Sequence, residues 1–255
     1  MRDHDMTSMG GQENAFLTTH WSLIEEVKTD QDKDRALIGL LLQRYWKPVY
    51  CYVRRKGFAN EQAKDLTQGF FHEVVLNRNL IERADCSKGR FRSLILHALN
   101  QYIIDEGRKE SALKRIPQDK LVSLDVADPS QLPQMIRELD AEQSFNYVWK
   151  AELLKRALAE VKDRYLKQDM KTHWQVFQDR LLGPTLGNLE PLPLQQLCER
   201  YGIKDEATAS NMINTVKKRV RRVLESHVRQ TVASDEQAEE ELRNIVQLLK
   251  KDGKK

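Results

Sequence analysis

Between Leu194 and His227 the chain carries side chains that could read and hold nucleic acid. Ser210, Asn211, Asn214 and Thr215 offer short hydroxyl and amide groups suited to base edges, with Thr208 just upstream. Lys217, Lys218, Arg219, Arg221 and Arg222 follow, long cations of the kind that neutralise backbone phosphate. Interleaved with them, Met212, Ile213, Val216, Val220, Val223, Leu224 and Val228 recur at helical spacing, which predicts one helix with an apolar face and a polar, cationic face. Leu194, Leu197 and Tyr201 mark a shorter amphipathic segment before it, ending at Gly202. A short helix, a Gly-containing turn and a longer helix make a candidate helix-turn-helix. An ordinary solvated face can have the same composition, so the rest of the chain must decide.

A second basic zone lies upstream. Lys88 to Arg115 holds seven basic and three acidic residues, and Glu199 to Arg229 eight and four. Ile116 to Glu142, between them, reverses the balance to two basic and six acidic. Two basic zones around an acidic connector predict nucleic acid contacted at two places. Within the first, Phe91, Leu94, Ile95, Ala98, Leu99, Tyr102 and Ile103 keep a helical period, leaving Arg90, Arg92, Ser93, His97, Asn100 and Gln101 off the apolar stripe. Such groups suit unstacked bases and phosphates, or simply a wet surface.

The remaining chemistry is excluded by what is missing. His72-Glu73 fails as a metalloprotease signature because Leu76 stands where a second His is needed. Cys51, Cys86 and Cys198 are odd in number and far apart, which supports neither a disulfide framework nor a zinc site. There is no Gly-rich phosphate loop and no nucleophile context, so no catalysis, metal or cofactor is expected. The start, Met1 to Gly11, has no apolar core of a signal peptide, and no run reaches the length of a membrane span. A cytoplasmic protein without membrane insertion is the expectation.

These groups need helices to position them. Residues 1–14 read as a disordered tail. Leu37, Leu40, Leu41, Tyr45 and Trp46 then open the first strong helix, with Pro48 as a candidate kink. Asn60 is a candidate N-cap for the next, in which Ala63, Leu66, Phe70, Val74 and Val75 point inward and Asp65, Gln68, Gly69 and His72 remain outside. Pro117, Pro129 and Pro133 break the pattern, and periodicity resumes with Phe145, Val148, Trp149, Leu153 and Leu154. A long loop from Pro184 to Pro193 precedes the helix-turn-helix. No strand-like alternation of useful length occurs, so the fold is expected to be all-α. At 255 residues it divides into two small helical domains, 15–112 and 141–231, joined by the acidic linker 113–140. A C-terminal amphipathic helix with a basic tail fills 232–255.

Three strings resemble region 2 of the extracytoplasmic-function sigma factors of bacterial RNA polymerase: Tyr45 to Tyr50, Gln62 to Phe71 with its Asp-Leu-Thr-Gln sequence, and Gly89 to Leu94. The carboxyl half, with Ala209-Ser210-Asn211 and Thr215 to Lys218, is similar to their region 4, and the likeness is greatest to larger members of the planctomycete type. The resemblance implies that Asp65, Leu66, Gln68 and Phe71 bind core RNA polymerase. It implies that Asp85, Ser87, Lys88, Arg90, Arg92, Asn100 and Gln101 contact and help melt the minus-ten element of promoter DNA. It implies that the second helix of the helix-turn-helix enters the major groove of the minus-thirty-five element, through Thr208, Ser210, Asn211, Asn214, Thr215, Lys217, Lys218 and Arg221. An anti-sigma factor or other regulator is a further partner the family admits. Gly69 departs from the family, which usually has an acid there, and Lys204 to Asn211 is longer than the family's usual turn and helix start.

A stand-alone helix-turn-helix regulator is the alternative. It would bind duplex DNA without polymerase, and it has no need of the Asp65 to Phe71 surface or of a second basic helix.

Overall fold

The computed structural model describes residues 33–77, 80–81, 84–85, 89–112, 138–184, 190–232 and 234–248. Every regular element among them is helical, as expected. Helix α1 spans Lys33–Arg55, α2 Asn60–Gly69, α3 Phe91–Ala112, α4 Ala141–Lys167, α5 Lys171–Phe177, α6 Leu194–Tyr201, α7 Glu206–Arg229 and α8 Asp235–Leu248. Two π-helical segments, Phe70–Asn77 and Gln178–Leu182, continue α2 and α5. The tail 1–14 and nearly all of the acidic linker lie outside the described residues.

Helix α1 runs unbroken through Pro48. Proline removes one helical donor, but Tyr45, Val49 and Val53 are fully buried on both sides of it and hold the helix to the core. Asn60 is not the cap of α2. Ala59 occupies that position, the Gln62 side chain accepts its N–H at 3.3 Å, and Asn60 accepts the Tyr50 hydroxyl at 2.6 Å. Helix α4 starts on a reciprocal cap: Asp140 accepts the Gln143 N–H at 2.8 Å, and the Gln143 side chain accepts the Asp140 N–H at 3.1 Å.

Helices from both sides of the acidic linker share one hydrophobic core. The broadest helix-to-helix contact is α1 on α4. At its centre Tyr45 meets Phe91 of α3 edge-on, ring centroids 5.8 Å apart, and lies nearly parallel to Phe145 of α4 at 6.4 Å. Lys47 and Glu152 close the rim of the same contact at 2.6 Å. Helix α7 packs on α4 and α5 through Ile213, Val216, Val220, Val223, Leu224 and Val228. His227 Nε2, 3.0 Å from Glu160, ties its far end to α4. The segments on either side of 113–140 therefore share a continuous apolar seam.

Phe145→Ala removes a fully buried ring from that seam. It is expected to cost about 3–5 kcal/mol in urea denaturation and to speed amide exchange in α1 as well as α4. A loss under about 1 kcal/mol, confined to α4, would contradict the shared core.

Candidate nucleic-acid interface

The helix-turn-helix is built by local chemistry. Helix α6 ends at Gly202, whose φ of 63° and ψ of 37° lie in the left-handed region that glycine enters most easily. The Ile203 N–H returns to the Cys198 carbonyl at 2.9 Å. Asp205 then caps α7, its carboxylate accepting the Thr208 N–H at 2.7 Å. The turn is thus residues 202–205 and α7 begins at Glu206, so Glu206 to Asn211, within the stretch that departs from the family in length, is helix. Arg200 and the Tyr201 hydroxyl both reach Asp179, at 2.9 and 2.7 Å, and brace α6. Arg180 donates to the Leu192 carbonyl at 2.5 Å, fixing the end of the Pro184 to Pro193 loop as it enters α6.

Helix α7 has 24 residues, about 36 Å at the standard rise. Asn211, Asn214, Thr215, Lys217, Lys218 and Arg221 are exposed along it, while Thr208 and Ser210 are half-buried. The Thr215 hydroxyl donates to the Asn211 carbonyl at 2.8 Å, which leaves it to act outward as an acceptor. Arg219, also on the cationic run, turns inward: its guanidinium lies 5.0 Å from the Tyr165 ring centre and donates to Gln168 at 3.0 Å. The exposed amides and cations therefore stand on a buried, braced platform, as a groove-reading helix requires.

The second basic zone lines a cavity of about 1140 Å³ where α3, α4 and α8 converge. Lys56, Arg90 and Lys150 contribute cations to its wall and Asn100 and Asn146 amides, with His97 beside them. Tyr52, beneath Lys56 at 5.3 Å, hydrogen-bonds Asn100 Oδ1 at 3.1 Å. Burial lowers the pKa of the Lys150 ammonium below its ordinary value, with Arg92 and Arg90 adding to the effect and Glu241 opposing it. Asn146 and Lys150 were not singled out in the sequence, because α4's periodicity signals only packing, and Lys56, in the turn just past α1, reads only as a cation at a helix end.

Other predicted residues fall differently. Asp85 and Gln101 are exposed, Asn100 is half-buried, and Ser87 and Lys88 lie outside the described residues. Arg92 is only 8% exposed: it donates to Asn146 at 3.0 Å and to Glu241 at 2.5 Å and lies 4.8 Å above the Trp149 ring. In this arrangement it is a core-facing cation and not an open DNA contact. Arg90 is half-buried and paired with Glu240 and Glu241. On α2, Asp65 is exposed, Leu66 and Gln68 are half-buried, and Phe71 is buried between Trp46 and Phe70. Phe71 is therefore core, not contact surface. Gly69 has a steric explanation: an added Cβ would overlap the hydroxyl of Tyr102, itself buried against Phe70.

Among the described residues no group of three or more His, Cys, Asp or Glu is placed to hold a metal. No helix among them is long and apolar enough to cross a membrane. Burial pushes the Cys51 thiol up to about 12, far from a reactive thiolate. Comparison with protein-family models, curated proteins and solved structures returns no match to this chain.

Hydrogen bonds from the Thr208 hydroxyl and N–H hold the Asp205 carboxyl below its usual pKa. A depressed folded-state pKa gives stability that is complete above the unfolded value of about 3.9 and fades as pH falls through the lower folded value. Asparagine caps without titrating. The stability difference between wild type and Asp205→Asn should therefore shrink on acidification below about pH 4, read by urea midpoints. A difference independent of pH would remove this role.

Proposed function

We propose that the chain is a promoter-specificity subunit of bacterial RNA polymerase, of the extracytoplasmic-function sigma type. The observation that carries the proposal is the exposed stripe from Asn211 to Arg221 on α7, held by a capped turn on a buried platform. Base-reading amides precede phosphate-neutralising cations along it, the order in which a recognition helix in a major groove meets bases and backbone. The cavity with Lys56, Arg90, His97 and Lys150 supports a second site, where unpaired strands of the minus-ten element would lie. In this reading α1 to α3 form the half that meets core polymerase and the minus-ten element. Helices α4 to α7 form the half that meets the minus-thirty-five element. The exposed Asp65 and the half-buried Leu66 and Gln68 are the residues left to touch polymerase, since Phe71 is spent on packing.

Lys217→Glu with Lys218→Glu is expected to weaken binding to a promoter duplex. It should also flatten the dependence of log affinity on log salt by about 1.8, two phosphate contacts at about 0.9 each. An unmoved slope would place both lysines in solvent. Asp65→Ala with Gln68→Ala is expected to lower affinity for core polymerase while circular dichroism stays that of the wild type. Unchanged affinity would take α2 out of the polymerase interface.

A further inference from the structure

Helix α8 brings two carboxylates onto the basic zone from about 150 residues away in sequence. Glu241 is fully buried, and one of its oxygens, Oε1, receives both Arg90 at 2.6 Å and Arg92 at 2.5 Å. Glu240 holds Arg90 from the other side. The apolar residues Ala238, Leu242 and Ile245 seat the helix, each less than a tenth exposed. Glu241 and Asn244 thereby form part of the cavity wall beside Lys150 and Ser93.

A carboxylate accepting two guanidiniums occupies the same donors that a backbone phosphate would use. The clamp is also imperfect. Among the described residues Glu241 Oε2 is buried without a hydrogen-bond partner, and burying charge in this way recovers little net stability. An incompletely satisfied buried ion cluster on a terminal helix is poised to exchange one anion for another.

We propose that α8 is an autoinhibitory latch, in which Glu240 and Glu241 compete with nucleic-acid phosphate for Arg90 and Arg92. The latch rests on the reading of the α3 cavity as a single-strand site. When α8 is docked, both arginines are neutralised and the cavity offers a strand mainly Lys56, His97 and Lys150. When α8 lifts, two further cations face the cavity.

The test uses the full chain and a labelled single-stranded oligonucleotide of about 20 nucleotides, longer than the span one small domain covers. Glu240→Gln with Glu241→Gln should bind about tenfold more tightly. Its log-log salt slope should steepen by about 1.4, for two added contacts at about 0.7 each. Glu236→Gln with Glu239→Gln makes the same charge change at two exposed positions of α8 and should leave the slope unmoved. Ile245→Asp unseats the helix while adding a negative charge: latch release predicts tighter binding, whereas net charge alone predicts weaker. In the unmutated chain, which sidesteps any folding defect of the variants, saturating oligonucleotide should speed amide exchange across Asp235–Leu248. Wild type that binds with α8 exchange unchanged, or latch variants that match wild type in affinity and slope, would overturn the latch and leave the DNA reading intact. Failure of wild type and every folded variant to bind would overturn both.

Discussion

Tyr45 is completely buried where α1 meets α4, and the remainder of the molecule hangs on that seam. Its ring contacts Phe91 on one side and Phe145 on the other, so three helices drawn from both halves of the chain converge on one side chain. Burial pushes its hydroxyl up to about 12, against the pull of nearby Arg92 and Arg44, so the phenol is neutral at every physiological pH. Each aromatic ring removes about 150–250 Å² from water, about 4–6 kcal/mol at 25 cal/mol per Å². The half-exposed Lys47–Glu152 pair at the rim adds at most about 1 kcal/mol. Apolar contact therefore sets how α4 lies on α1. Helix α4 in turn carries the platform for α7 and the Trp149 ring under Arg92.

The chain deals with its cations in two ways. On α7, Lys217, Lys218 and Arg221 stand in water on the outer face, where a phosphate could neutralise them at no structural cost. At the start of α3, Arg90 and Arg92 are drawn inward, and Arg92 has a ring, an amide and a carboxylate to compensate for lost hydration. The first arrangement is open to a ligand at all times. The second is open only when an intramolecular anion leaves.

The sequence made the helices legible because their apolar residues repeat at 3.6, and the stripe of the second helix of the helix-turn-helix was readable apart from the half-buried Thr208 and Ser210 and the inward Arg219. Gly202 and Asp205 encode the turn locally, and α7 starts directly after them at Glu206. Long-range pairing was not legible. Arg92 reads as a surface cation because it falls off the apolar stripe, yet Glu241 and Trp149, far away in the chain, pull it inward. The family resemblance implies that Phe71 is contact surface, but in the π-helical segment from Phe70 it stacks against Trp46. Gly69 had no local signal, because the hydroxyl that excludes a side chain belongs to Tyr102 on another helix.

The central claim is that this chain works as a subunit of RNA polymerase rather than alone. Its most direct test is size-exclusion chromatography of the purified chain with core RNA polymerase from its own source, without DNA. The account predicts a stoichiometric complex that elutes with the polymerase. A chain that elutes alone yet still shifts duplex DNA would contradict it and leave a stand-alone helix-turn-helix regulator.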